Sequence, residues 1–177
     1  MKNWTRKIEI LANIAILLVA VLLGVVLVKK YLLTKDHAET APKLVAGTKM
    51  NVPGVDWSRN GQTLVFVLQK GCHFCTESAP FYQRLVKETA GLGNVHPVAL
   101  LPQEIPEAKK YLEEIKVPID DVKQASSSSL GVGGTPTLIL VNGAGVVVDV
   151  WEGRLPANEE SKVLNRLQGK AVASQQY

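Results

Sequence analysis

The sequence predicts an α/β fold, a mixed central sheet flanked by helices. Two observations carry it: short β-branched or aromatic runs alternate with helix-like segments, and the last two runs are joined by a hairpin signal. The first run is TLVFVL, Thr63 to Leu68, which suits a buried strand. From His73 to about Thr89 the pattern turns helical, with Phe81, Leu85 and Val86 on one side and Pro80 expected to kink it. Val95 to Leu101 reads as a second strand. In IPEAKKYLEEI, Ile105 to Ile115, Pro106 sits where helices start and Glu107 falls in the first turn. TLILVNGAGVVVDVW then holds two strand runs joined around Asn142-Gly143. A last short helix is expected to be capped by Asn158, with Glu159 and Glu160 in its first turn and Gly169 beyond its end. The resulting order is β-α-β-α-β-β-α, with helices expected on both faces of the sheet. Ser126 to Ser129 form the one low-complexity patch, read as a solvated loop or a helix start.

At 177 residues the chain fits one domain and an appendage. The appendage is N-terminal. Ile10 to Val28 reads ILANIAILLVAVLLGVVLV, with Asn13 its one strongly polar member. As a helix this run would be about 28 Å long, close to the thickness of a bilayer's hydrocarbon core. A buried core helix is seldom apolar on every face for so long. A cleaved signal peptide has a shorter apolar region and a small-residue site, whereas Lys29, Lys30 and Tyr31 follow here. The run therefore reads as an uncleaved anchor. Lysines and arginines lie on both sides of it, so charge alone does not orient it. The organisation expected is a cytoplasmic tail and anchor over residues 1–33, a linker over 34–48, the domain over 49–170 and a tail over 171–177. The formal charge is +4, but the Lys and Arg are scattered and interleave with no aromatic patch, which argues against nucleic acid as a partner.

Both cysteines lie in GCHFCTESAP, Gly71 to Pro80. Two cysteines cannot staple a scaffold, so the choice is between a half metal site, an inert pair and a redox dithiol. A tetrahedral metal site needs two further ligands. His37 lies in the linker and His96 at a strand start, and there is no second CxxC, so no metal site is expected. An inert core pair fits poorly at a strand-to-helix turn. As a dithiol the pattern is apt: residues three apart on a first turn meet the Cα separation a disulfide needs. Cys72 would open the helix, facing unpaired N–H groups that favour a thiolate, and so would be the attacking sulfur. Lys70 and His73 would add to that if they point inward. Downstream, in GVGGTPTLILVNG, Pro136 stands directly before a strand, and a cis Thr135-Pro136 bond would present the Thr135 backbone outward.

These landmarks in order, CxxC at a helix start, Pro80 five residues later, and GGTPTLILVNGAGVVVDVWEG near the end, resemble a thioredoxin-fold protein. The long spacing between CxxC and TP, and the preceding stretch with Gly47, Asp56 and TLVFVL, is similar to the membrane-anchored TlpA/ResA-type redoxins, over roughly Val45 to Leu167. The resemblance implies that Cys72 attacks, Cys75 resolves, and Thr135 with Pro136 docks the partner chain. It implies no cofactor beyond the Cys72–Cys75 disulfide, protein disulfides as substrates, a membrane thiol-electron donor, and a redox domain on the extracytoplasmic side of a bacterial-type cell membrane. The motif departs from the family in its interior. Gly71 stands where Trp is usual, Phe74 where Pro is usual, and Phe66 where thioredoxins bury an acid. Ser78 replaces the Glu three residues after the second cysteine, with Glu77 one position earlier. Lys70, His73, Phe74 and Glu77 are therefore the candidates for tuning the pair. A peroxiredoxin would carry Thr three residues before the reactive cysteine, where this chain has Gln69. A non-catalytic binding module would not need an intact CxxC.

Overall fold

The computed structural model describes residues 13–24, 43–59 and 61–169. The chain divides into two compact units, Met1–Glu39 and Thr40–Tyr177. In the first, residues 13–24 are helical and almost entirely exposed. The ends of the apolar run 10–28, most of the linker and the tail 171–177 lie outside the described residues. Among the described residues no helix is long and apolar enough to cross a membrane.

The second unit is built on five strands: β1 (Gln62–Val67), β2 (Val95–Leu101), β3 (Val122–Gln124), β4 (Thr137–Asn142) and β5 (Val147–Glu152). Their spatial order is β3-β2-β1-β4-β5. β1 runs parallel to β2 and antiparallel to β4, β2 and β3 are parallel, and β4 and β5 form the antiparallel hairpin. The sheet is therefore mixed, as expected. β3 escaped the sequence reading because three residues are too few to show an alternating pattern.

Alternation along β1 sends its side chains into two separate cores. Leu64, Phe66 and Leu68 point into the first, where they meet Tyr82, Leu85, Tyr111 and Val163. These come from α2 (Ala79–Leu92), α3 (Ile105–Glu114) and α4 (Ala157–Leu167). Val65 and Val67 point into the second, beside Leu44, Met50, Val52, Leu130 and Val132. Here the expectation of helices on both faces is corrected. The α-helices gather on the first face, and the second is covered by residues 43–59 and a 3₁₀ turn at Ser128–Leu130. The serine patch explains the difference. Ser126 Oγ accepts from the Ser129 N–H at 3.2 Å and the Ser129 hydroxyl donates to the Ser126 carbonyl at 2.8 Å. Such local bonds compete with helix extension, and Gly131 follows in the left-handed region.

Residues 43–48, read as linker, join the domain: Leu44 is buried and its N–H donates to the Gly131 carbonyl at 2.8 Å. The segment from His73 is two helices, α1 (His73–Glu77) and α2, broken at Ser78. Pro80 in the first turn of α2 supplies no N–H, so the ladder cannot run through. α4 begins after Pro156, and Asn158 lies inside its first turn instead of capping it. Pro156 already holds the extended conformation an entry residue needs, with φ −72° and ψ 158°.

The hairpin turn is held by Asn142, whose Oδ1 accepts from the Ala144 and Val146 N–H groups at 3.0 Å each. Gly145 completes it at φ 76°, and a Cβ there would meet the Trp57 ring at 3.0 Å. Gly145→Ala should therefore lower stability by about 2 kcal/mol, from the left-handed backbone and the displaced indole. Urea unfolding of the two proteins measures this.

At the other end of the sheet Asp121 accepts from Lys123 Nζ at 2.7 Å and pairs with His96 Nε2 at 3.1 Å. Burial pushes its carboxyl up, but the bonds from Lys123 and His96 together hold it below 3.8. A lowered carboxylate contributes stability above its unfolded value and loses it as pH falls through the folded one. Asp121→Asn should cost about 1 kcal/mol at neutral pH. That gap in urea midpoints should close as pH falls below 3.8.

Candidate active site

β1 ends at Val67, and Leu68 extends it by donating its N–H to the Leu100 carbonyl at 3.0 Å. The chain must then turn sharply into α1. Gly71 makes the turn at φ 80°, a conformation that disfavours a side chain and accounts for glycine where the related motif carries Trp. Cys72 follows as the residue that caps α1, with φ −76° and ψ 114°, and its Sγ accepts the Cys75 N–H at 3.2 Å.

Cys72 and Cys75 are joined in a disulfide, with Cα atoms 5.2 Å apart. The two sulfurs are unequally placed: Cys72 is partly exposed, whereas Cys75 is fully buried in the first core. A reagent in solvent can reach only the first.

The Thr135-Pro136 peptide is cis, in the loop before β4. It brings the Thr135 carbonyl oxygen to 3.4 Å from Cys72 Sγ. Within the disulfide that sulfur has no hydrogen to give, so the approach is a contact; a Cys72 thiol could donate to the same oxygen. The loop is fixed on two sides. The Thr137 hydroxyl donates to the Gly134 carbonyl at 2.8 Å, and the Gly153 N–H donates to the Pro136 carbonyl at 2.7 Å. The two motifs far apart in sequence thus meet at one sulfur.

The tuning candidates divide. Phe74 is 54% exposed, stacked obliquely on His73, and free to contact a partner. Lys70 does not lean on the cysteines. Its ammonium bonds Glu107 at 2.7 Å, a bond that raises its pKa. His73 likewise turns away, toward Glu77 at 3.3 Å. Glu77 also receives Arg154 at 3.1 Å, a partner 77 positions along the chain that no local pattern signals.

Around Cys75 the surroundings are uncharged. Phe66 packs edge-on against Tyr82 with centroids 5.5 Å apart, and among the described residues no carboxylate is buried. Ser78, the residue at the family's Glu position, is buried, and its hydroxyl has no hydrogen-bond partner. Burial also pushes the nearby Tyr82 phenol up, so Tyr82 stays neutral. Among the described residues there is no cluster of three or more His, Cys, Asp or Glu able to hold a metal.

No protein-family model and no curated protein matches the chain. Solved structures do. A thiol:disulfide interchange protein described as DsbE, from Chlorobium tepidum, superposes with a TM-score of 0.56 at 22% identity, over 73% of this chain and 100% of that one. A thiol-disulfide isomerase from Corynebacterium glutamicum gives 0.52 at 20%, over 77% and 99%. The thioredoxin domain of a thiol-disulfide oxidoreductase from Bacteroides vulgatus gives 0.52 at 17%, over 70% and 98%. With its CxxC disulfide at the end of β1 and its cis-proline before β4, the chain has the thioredoxin fold.

Proposed function

We propose that the protein is a membrane-anchored thiol-disulfide oxidoreductase that reduces disulfides of exported proteins through Cys72 and Cys75. The carrying observation is the asymmetry of the pair, one sulfur partly exposed beside the cis-proline loop and the other fully buried. In the reduced protein the Cys72 thiolate, supported by the Cys75 N–H, attacks one sulfur of a substrate disulfide. The substrate's other sulfur leaves as a thiolate and takes up a proton. Cys75, deprotonated in turn, attacks Cys72 Sγ; the substrate departs as a dithiol and the Cys72–Cys75 disulfide forms. Two electrons have passed to the substrate, and an external dithiol on the membrane must return them. Thr135 and Pro136 would align the partner chain across Cys72, with Phe74 supplying an apolar contact beside it.

Reduction is favoured over oxidation by the placement of His73. An imidazolium facing Cys72 would stabilise the thiolate and make the disulfide more oxidising. Here the ring faces Glu77 instead. The thioredoxin-fold neighbours described as an interchange protein and an oxidoreductase support thiol-disulfide exchange, without bearing on its direction. The apolar run Ile10 to Val28 supports the anchor, and a disulfide-handling domain belongs where disulfides persist, outside the cytoplasm.

Two outcomes are expected. Cys75→Ser should accumulate mixed disulfides with substrate proteins, seen on non-reducing gels, and Cys72→Ser should form none and lose insulin-disulfide reduction. Equal trapping by both variants would mean the roles are wrongly assigned. The full chain should stay in the membrane fraction through alkaline carbonate, and a chain lacking residues 10–28 should not. Release of the full chain would remove the anchor from the proposal.

A further inference from the structure

Three segments adjoin one another near the redox pair: α1, which Cys72 caps, the loop ending at Pro136, and Gly153 with Arg154 just after β5. The backbone already links the last two, through Gly153 N–H and the Pro136 carbonyl at 2.7 Å. α1 is tied to them by a side chain. Glu77 Oε2 accepts from Arg154 Nη1 at 3.1 Å, while its other oxygen lies 3.3 Å from His73 Nε2. The two partners of the carboxylate are mostly exposed, at 78% for His73 and 58% for Arg154, and Glu77 at 35% is the most enclosed of the three. The remaining charges nearby are committed elsewhere. Lys70 bonds Glu107, and Glu160, which lines the same groove as Glu77 and Arg154, bonds Arg84. Glu152 reaches toward Gly133, where a Cβ would meet its Oε2 at 3.3 Å.

We infer that Glu77 is a positioning residue for the redox centre: by holding the His73 ring and the Arg154 guanidinium on one carboxylate it draws them away from Cys72 and keeps the disulfide reducing. This rests on the proposed thiol-disulfide chemistry. His73 directly follows Cys72, so its ring could turn toward the sulfur, but the bond to Glu77 draws it one helical turn down α1. Arg154, on the neighbouring loop, supplies a permanent positive charge that the same carboxylate offsets. Without Glu77 the Arg154 charge acts unopposed and the His73 ring is free to turn toward the thiolate. Without Arg154 the carboxylate carries an excess of negative charge, and the thiolate is disfavoured.

The two removals therefore have opposite signs, which a loss of packing alone would not produce. The measured reaction is the exchange of the Cys72–Cys75 disulfide with two glutathione thiols, giving the dithiol and one glutathione disulfide. For the full-length chain, Glu77→Gln should shift this equilibrium toward the dithiol about threefold, equal to ~14 mV. It should also lower the Cys72 pKa followed by thiolate absorbance. Arg154→Gln should shift both in the reverse direction, Arg154→Lys should restore the native values, and His73→Asn combined with Glu77→Gln should recover part of the shift. Equal or same-sign changes for Glu77→Gln and Arg154→Gln, or no change in either, would overturn the inference. Melting curves identify a variant that has lost its fold, in which case Glu77→Ala replaces Glu77→Gln. If wild type fails to exchange with glutathione at all, it is the functional proposal that fails, and the thiolate titration still reads the effect of Glu77.

Discussion

The placement of Cys72 depends on the register of β1. This strand is bonded on both sides, Gln62 to Val67 opposite Val95 to Leu100 of β2 and opposite Asn142 to Thr137 of β4. Its alternate side chains are locked into two different cores, so a slip by one residue would exchange Leu64 and Phe66 with Val65 and Val67. That exchange would put the larger pair against the extended segments of the second face and leave the α-helices over valines. Neither core could be refilled, so the strand end, and with it the turn at Gly71, has one position. β4 is fixed by the same pairing, which is why Thr135 arrives beside Cys72 although it lies far along the chain.

Much of this was legible in the sequence because it is written in local patterns. The run TLVFVL, the Asn142-Gly143 turn and Pro106 at a helix start each became the element they suggest. The disulfide spacing and the proline before β4 likewise marked the residues that meet at the site. What was not legible falls into two kinds. β3 is held by its pairing with Ala99 to Leu101, with too little pattern of its own. The second face looked as though it needed helices, since any sheet face must be covered. Yet burying Val65, Val98 and Ile139 requires only apolar atoms, and Leu44, Met50 and Val52 provide them from irregular chain and Leu130 from a 3₁₀ turn.

The charged side chains show the second kind of failure. Lys70, His73 and Glu77 stand within a few residues of the cysteines, and proximity in sequence suggests proximity of charge. A lysine or histidine, however, has a long lever, and its head goes to the nearest carboxylate. For Lys70 that carboxylate comes from α3, for Arg154 from α1. The sign of the field at Cys72 is therefore a tertiary property. Ser78 illustrates the converse: its burial follows from the break between α1 and α2, and its unpartnered hydroxyl is visible only once both helices are packed.

The early entry of the chain into the domain has a mechanical consequence. Leu44 is already seated in the second core and bonded to Gly131, so an anchor ending at Val28, as proposed, would be separated from the domain by residues 29–43 alone. Even drawn out straight, that stretch spans at most about 50 Å. Under the proposed anchoring, the redox face would work only within a shell above the bilayer little deeper than one small protein. Substrates and electron donors would then have to meet it at the membrane.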